Sequence, residues 1–339
     1  GKVRKAPFRF LDLSDCGLSV QRIFFLLDQL PVSTEGVKLG SKAVRGPAVP
    51  LLRRCLEHVD ASFKAKKKDV PRLKSLIFAP GTFGPLLPPR ATARLLFASM
   101  PSCVETLSLE GSFLEVAVIE ALAKAVKDGR LASVRKLNLA NTSLDDEKMA
   151  ILSSAFAAVR GLRVETLLLG GVSNAFRRRE TFCTLLRRDV LPSLAEFCVA
   201  DATLSPTALE GLAEGLCGGE MVWLECLDLQ RVRVSSVSSE SALCREKCVV
   251  ALSRALKAAL VPRLKTLYLG PCLSPQGEGA KALVFALTSD EAPPLRTVQV
   301  RVYSGDQEGE EDVSAFKNLH FPALQSFKLD LVVTNCQSR

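Results

Sequence analysis

The clearest pattern of apolar and polar positions lies at Val104–Leu114, where the sequence reads VETLSLEGSFL. Leu107 and Leu109 are two residues apart, so in a β-strand both side chains point to the same, buried side. The following stretch, Val116–Val126, has apolar residues at helical spacing, which predicts an amphipathic α-helix that ends near Gly129. The pattern therefore predicts one strand and one helix, and neither can bury its apolar face without neighbours.

Close copies of this unit recur along the whole chain, and those that begin at positions 104, 134, 164, 194 and 224 follow one another at a constant interval. A parallel α/β sheet with chance similarity is the alternative, but it would need the same coincidence in every copy. The second copy is the weakest, because Thr34 replaces an apolar anchor. The eleven predicted strand cores are Phe8–Leu13, Thr34–Leu39, Leu73–Phe78, Val104–Leu109, Val134–Leu139, Val164–Leu169, Leu194–Val199, Leu224–Leu229, Leu264–Leu269, Leu295–Val300 and Leu324–Leu329.

These repeats resemble leucine-rich repeats of the ribonuclease-inhibitor-like class, which have units of this length with a true helix. Ser112, Thr142, Cys16 and Cys272 fall on the position where that family has Asn or Cys. The resemblance implies an α/β solenoid of about eleven repeats, a right-handed horseshoe with a parallel sheet on its concave face and helices on its convex face. It also implies that the usual work of the fold is protein–protein binding.

Helices are predicted after the strands, and several have start signals in the sequence. The first two are predicted at Val20–Leu30 and Val49–Val59, and the third around Ala91–Met100. Asp145 and the acidic residues after it suit a helix N-terminus. Ser205, with a proline after it, is predicted to be an N-cap residue.

Three segments depart from the repeat pattern. Residues 63–69 and 234–241 lie in the two longer intervals, and residues 303–312 are acidic. Insertions of this kind lie on loops and often bind, although a lysine or serine run is also typical of a solvated loop. Arg231 and Arg233 precede Ser235 and Ser236 in a pattern that suits phosphorylation by a basophilic kinase.

The chain is treated as a single leucine-rich repeat domain over residues 1–339. Its first predicted strand begins at once and its last is followed by only ten residues, whereas solenoid ends need polar caps. We therefore expect a fragment of a longer protein with both caps missing.

The charge is unevenly distributed. The chain carries a formal net charge of +9, and residues 1–100 contain 18 Lys or Arg and 7 Asp or Glu, a net of +11. Such asymmetry can orient a charged partner. Nucleic-acid binding is disfavoured because aromatic residues do not alternate with the basic ones. No apolar run approaches the roughly 18 residues that span a membrane.

The 11 cysteines are scattered, without a C-x-x-C pair. This odd number, with most at core positions, predicts free, buried thiols and a cytoplasmic, reducing location. Cys244 and Cys248 could share a helix face, but packing explains them better than zinc, since both histidines are far away in sequence. We therefore predict no metal and no cofactor.

The strand residues that point away from the core predict the binding surface on the concave face. Exposed leucine and tyrosine on a polar sheet are what an interface hot spot needs, although single exposed apolar residues are also normal. The convex face or the edge loops could bind instead. The candidate partner-binding residues are Ser108, Lys136, Asn138, Leu168, Glu196, Cys198, Asp228, Tyr268 and Gln299.

No catalytic residues are predicted. His58 and His320 have no nucleophile at a recognisable spacing, and no phosphate-binding glycine loop occurs. The sequence thus favours a monomeric, non-enzymatic scaffold for a protein partner. Two alternatives stay open: a GTPase-activating regulator of a small GTPase, since a Ran GTPase activator has similar repeats, or the ligand-sensing end of a larger multidomain receptor.

Overall fold

The computed structural model describes residues 8–67, 71–84, 90–159, 161–172, 176–218, 221–234, 240–273, 278–289, 293–304 and 326–333. The chain divides into two compact units, Gly1–Val164 (unit 1) and Glu165–Arg339 (unit 2). Side chains are described for most of these residues. No helix among them is long and apolar enough to cross a membrane.

Unit 1 contains parallel strands that pair in chain order, each followed by a helix. A short 3-10 turn at Ser41–Val44 precedes the second helix. The strands are β1 (Phe10–Leu13), β2 (Gly36–Leu39), β3 (Ser75–Phe78), β4 (Thr106–Ser108) and β5 (Lys136–Asn138). The helices are α1 (Val20–Asp28), α2 (Ala48–Lys64), α3 (Arg90–Ala98), α4 (Val116–Lys127) and α5 (Asp146–Ala157).

Unit 2 repeats this plan and adds a small second sheet. Its parallel strands are β6 (Thr166–Leu168), β7 (Glu196–Cys198), β9 (Cys226–Leu229), β11 (Thr266–Leu273), β12 (Thr297–Ser304) and β13 (Ser326–Val333), paired in that order. The second sheet pairs β8 (Thr203–Leu204) with β10 (Arg233–Val234). The helices are α6 (Arg179–Leu185), α7 (Pro206–Cys217), α8 (Glu240–Lys257) and α9 (Glu278–Leu287).

The core lies between strands and helices, where the alternation in the sequence places it. Leu107 and Leu109 are both fully buried, and the helix residues Ile119 and Leu122 are fully buried with them. Each of the eleven predicted strand cores overlaps a strand of the main pairing series, and β11, β12 and β13 continue past their cores. This arrangement of stacked strand–helix units is a leucine-rich repeat solenoid.

The predicted helix ends are confirmed at three places. The Asp145 side chain accepts a hydrogen bond from the Lys148 N–H at the start of α5, and Ser205 accepts one from Ala208 N–H at the start of α7. Gly129 follows α4 with a φ of 72°, the left-handed conformation that ends many helices.

A left-handed residue recurs two positions after the last core residue of successive repeats. The five residues are Gly111, Asn141, Gly171, Asp201 and Arg231, with φ values of 67°, 55°, 69°, 59° and 52°. They follow one another at the same constant interval as the strand cores. The N–H groups of the first, third and fourth donate to carbonyls of the following repeat, at 3.0, 2.6 and 2.8 Å. The turn that leaves each strand therefore has one shared geometry.

Two residues after β4 are placed differently from their neighbours. Phe113 does not fold back over the core but is 45% exposed, beneath the Lys148 ammonium, since the neighbouring Leu114 already fills the buried position. The Ser112 hydroxyl is buried without a hydrogen-bond partner. At the same position in other repeats, the Thr142 hydroxyl and the Cys16 thiol donate to the carbonyl three residues earlier, at 2.6 and 3.3 Å.

The expectation of buried thiols is largely wrong. Among the eight cysteines whose side chains are described, all are free thiols, but only Cys103 and Cys248 are buried. Cys16 is exposed, and the others are half-buried because they lie on the outer rows of strands or helices rather than in the core.

The irregular segments fit the structure only in part. The helix α2 continues to Lys64, which brings the start of segment 63–69 into regular structure. The strand β12 continues to Ser304, so the acidic segment begins within a strand. Ser235 and Ser236, residues 305–312, His320, Cys336 and the side chains of Cys244 and Cys272 lie outside the description.

A buried carboxylate joins the end of α2 to the segment before β4. Asp60 accepts hydrogen bonds from the Ser102 N–H at 2.8 Å, the Ser102 hydroxyl at 2.7 Å and the Lys64 ammonium at 2.6 Å. Burial alone would raise the pKa of Asp60, but the hydrogen bonds from Lys64 and Ser102 together outweigh it, and the pKa is lowered.

Candidate functional site

The predicted binding residues lie on the face of the strands that points away from the helices. In unit 2 we name this surface the open face. It consists of two rows of side chains from β6 to β12: Thr166, Glu196, Cys226, Thr266 and Thr297 in the first row, and Leu168, Cys198, Asp228, Tyr268 and Gln299 in the second. All ten are half-buried, so each offers part of its surface to a partner.

Strand register makes the open face continuous. Leu168 is paired with Cys198, and Cys198 in turn with Asp228. Asp228 is paired with Tyr268, and Tyr268 with Gln299. Neighbouring strands lie about 4.8 Å apart, so these five side chains form an unbroken row.

The acidic residues of the open face accept hydrogen bonds from neutral groups, and the nearest cation to Asp228, Arg231, is itself bound to Asp201. Glu196 accepts a hydrogen bond from the Thr166 hydroxyl at 3.1 Å. Asp228 accepts one from the Gln230 N–H at 2.9 Å and a long contact of 3.6 Å from the Cys198 thiol. Burial raises the pKa of Asp228, the backbone hydrogen bond from Gln230 offsetting it only in part. From Thr166 to Gln299 the two rows contain no lysine or arginine.

The thiols of the open face stay protonated at neutral pH. Burial raises the pKa of Cys198 to about 11 and that of Cys226 to about 12, and the carboxylates close by add to both shifts. A thiolate is the reactive form of cysteine. These two side chains therefore serve as small, weakly polar packing surfaces rather than as nucleophiles or metal ligands.

The three candidate residues in unit 1 are placed differently. Ser108 is only 5% exposed, and its hydroxyl accepts a long hydrogen bond of 3.4 Å from the Glu110 N–H. Asn138 donates to the Glu110 carboxylate at 2.9 Å and accepts from the Ala140 N–H at 3.0 Å, so it organises the turn after β5. Lys136 is exposed.

Sequence reasoning missed two polar contacts beside the open face. The Gln230 amide donates to the Gln299 side chain at 3.1 Å, and Arg231 pairs with Asp201 at 2.6 Å. The second could have been found, because Asp201 and Arg231 occupy the same position in successive repeats. This ion pair has no net charge and lies at the border of the open face.

One cluster of catalytic residue types lies elsewhere. Asp28, Cys55 and His58 line a cavity of about 340 Å³ between α1 and α2. The Cys55 thiol donates to Asp28 at 3.2 Å, and burial together with that carboxylate raises the pKa of Cys55 to about 12. Such a thiol is not activated as a nucleophile. No group of three potential metal ligands is assembled in the part of the chain that the structure describes.

No protein-family model matches the chain. A search of curated proteins finds no match either. Solved structures that are similar include the Rad7–Elc1 complex of yeast, 16% identical over 94% of this chain and 73% of that one, with a TM-score of 0.46. The leucine-rich repeat protein LegL7 of Legionella pneumophila is 14% identical over 96% of this chain and 91% of its own, again at 0.46. The tropomodulin C-terminal domain of Caenorhabditis elegans is 17% identical over 51% and 96%, at 0.34. Similarity at this level assigns neither a family nor a partner.

Proposed function

We propose that the chain is a protein-binding scaffold whose partner docks on the open face and presents basic side chains to it. The observation that supports this most is the composition of the open face. Its ten side chains include two carboxylates, Glu196 and Asp228, and no lysine or arginine. Leu168 and Tyr268 flank them on neighbouring strands. A Lys or Arg side chain from a partner would supply the missing charge.

The physical reason lies in the half-buried carboxylate. Asp228 is half-buried and has lost part of its hydration, and burial raises its pKa although the nearby Arg231 offsets this in part. A docked ammonium or guanidinium would form a charge-assisted hydrogen bond there. The Tyr268 ring, across the strand pair from Asp228, would offer the same cation an aromatic surface.

The experiment compares the full-length wild-type protein with the variant Leu168→Asp/Tyr268→Ala by affinity purification and mass spectrometry. A partner lost from the variant is then purified and titrated against each single variant. We expect Tyr268→Ala to weaken binding by about 2 kcal/mol, which is roughly thirtyfold in Kd. Ile77→Ala is the matched control, because Ile77 is also half-buried and holds the same strand position in unit 1. A partner whose affinity is equal for all variants would contradict the proposal.

Two finer assignments belong to the same proposal. The constant interval between five successive repeats and the helices that follow most strands support the ribonuclease-inhibitor-like class, and the eight free thiols support a reducing, intracellular location. The GTPase-activating alternative stays a prediction with its own test. It requires that the protein accelerate GTP hydrolysis by at least one member of a panel of small GTPases.

A further inference from the structure

A stacked tryptophan and arginine lie at the edge of the unit 2 sheet where the strands begin. Trp223 and Arg263 each stand directly before the first buried leucine of their repeats, Leu224 and Leu264. Because the strands β9 and β11 are adjacent, this shared position brings the two side chains side by side. The Arg263 guanidinium carbon lies 3.8 Å from the centre of the Trp223 ring.

The pair faces solvent. Trp223 is the only tryptophan of the chain and is 44% exposed, which is unusual for a side chain of its size and apolar area. Arg263 is exposed as well. Packing within the fold therefore leaves much of the indole and the outer side of the guanidinium available to another molecule.

The charge of Arg263 is not neutralised within the described structure. The carboxylate beside it, Glu225, is bound to Lys265 at 2.7 Å instead. In the next repeat Arg296 is also exposed, one strand away from Lys265. No carboxylate among the described residues pairs with Arg263, so the described part of this edge has a net positive charge and one guanidinium that can accept an anion.

Stacking prepares Arg263 for that task. A guanidinium held over an indole at 3.8 Å has lost much of its rotational freedom before any ligand arrives, while its exposed N–H groups can still donate hydrogen bonds. Fewer degrees of freedom are then lost on binding, so more of the interaction energy contributes to affinity. Tryptophan and arginine are also the residue types most enriched at the energetic centres of protein interfaces.

We propose that this edge, made of Trp223, Arg263, Lys265 and Arg296, docks an acidic segment of a protein partner. A carboxylate of that segment forms paired hydrogen bonds with Arg263, and apolar atoms beside the carboxylate cover the exposed part of Trp223. A protein is favoured over a nucleic acid because Glu225 would repel a continuous polyanion and because a single exposed ring is no stacking platform. This surface adjoins the open face at Thr266 and Thr297, but its test does not depend on the proposed function.

The experiment uses the intrinsic fluorescence of Trp223, which reports on this edge alone because the chain has no other tryptophan. The full chain is titrated with a short, end-blocked peptide of alternating Glu and Ala, with its Lys–Ala counterpart, and with oligothymidylate. We expect a saturable change for the Glu–Ala peptide that weakens as salt is raised, and no saturable change for the Lys–Ala peptide.

Variants then identify the residue responsible. Arg263→Ala should weaken the Glu–Ala peptide by at least about tenfold, and Arg263→Lys should lose part of the affinity because it keeps the charge without the planar fork. Arg163→Ala is the matched control: Arg163 is exposed and stands at the same place in its repeat, but the preceding repeat has Ser133 there instead of an aromatic residue. Circular dichroism confirms that each variant is folded.

The outcomes are distinct. A response to the Glu–Ala peptide that is lost in Arg263→Ala and kept in Arg163→Ala and in Leu168→Asp/Tyr268→Ala supports the proposal. No saturable response, an equal response in Arg263→Ala, or tighter binding of oligothymidylate overturns it. The last result would instead assign this edge to nucleic acid.

Discussion

Replacing Asp228 with asparagine should stabilise the protein at neutral pH while weakening partner binding. The carboxylate is half-buried, its pKa is raised by burial, and its partners are the Gln230 N–H and the Cys198 thiol. Asparagine has the same shape and keeps an oxygen for the Gln230 N–H. The substitution removes the charge that the folded state solvates poorly, and it also removes the group proposed to bind a cation.

The magnitude follows from two opposing contributions. A hydrogen bond to a charged acceptor contributes about 1.5–3 kcal/mol and one to a neutral acceptor about 0.5–1.5 kcal/mol, so neutralising Asp228 should weaken the Gln230 contact by about 1 kcal/mol. The raised pKa shows that the cost of desolvating the charge exceeds what this contact contributes. We therefore expect a net gain in the free energy of unfolding of about 0.5–1 kcal/mol.

The pH dependence gives a sharper test. A carboxyl whose pKa is raised in the folded state binds more protons folded than unfolded, so its ionisation lowers stability as pH rises through the folded pKa. The advantage of Asp228→Asn should be complete above that value and should vanish as pH falls towards 3.8, the ordinary value.

Urea denaturation of both proteins at neutral and acidic pH, followed by circular dichroism, measures this difference. Glu225→Gln is the control, because Glu225 is paired with Lys265 and its neutralisation should give no gain. An Asp228→Asn protein that is less stable than wild type at neutral pH, or equally more stable at every pH, would refute the reasoning.

Two further predictions concern a buried hydrogen-bond acceptor and a close contact between helices. Asp60→Ala removes the acceptor of both Ser102 hydrogen bonds and should cost about 2–4 kcal/mol. Because the folded pKa of Asp60 is lowered, this loss should be complete above pH 3.8 and should shrink below it, which urea denaturation can show. Gly211→Ala would place a methyl carbon 2.2 Å from the Arg179 carbonyl oxygen and should cost about 1–3 kcal/mol despite the better helix propensity of alanine. In Gly218→Ala the added methyl carbon has no neighbour closer than 3.5 Å, so this variant should be about as stable as wild type. Thermal melts of both variants measure the difference.

The strands and most helix starts could be predicted from the sequence because each follows from local periodicity or capping. The strand cores needed only apolar residues two apart, repeated at a constant interval. Asp145 and Ser205 could be recognised because a side-chain oxygen before a helix satisfies its free N–H groups whatever lies elsewhere. Such signals act within a few residues and do not depend on the rest of the chain.

Features set by neighbouring repeats could not be predicted in the same way. Phe113 has a large apolar side chain that is typical of a core residue. Leu114 already fills the buried site, so Phe113 is left exposed. The strands β11, β12 and β13 continue beyond their predicted cores because they pair with one another there, and pairing is not visible in a single repeat.

The candidate site was partly predictable. Because side chains alternate between the two faces of a strand, Leu168, Asp228 and Tyr268 could be predicted to lie on one face. Their equivalent positions in successive repeats placed them on strands of the same sheet. Their half-burial and the raised pKa of Asp228 depend on side chains from three strands. The contact between Trp223 and Arg263 is indicated in the sequence, because both residues directly precede the first buried leucine of their repeats. It could be predicted only after the two repeats were known to be adjacent.

The recurring left-handed turns affect how the number of repeats in such a chain can change during evolution. Because Gly111, Asn141, Gly171 and Asp201 leave their strands with one geometry at a constant interval, recombination between two of these turns would add or remove one whole repeat. The junction would join backbone conformations that already match, and strand register on both sides would be kept. The number of repeats is therefore open to duplication and loss, whereas a crossover that slipped by one residue within a strand would turn the buried side chains of that strand to the wrong face.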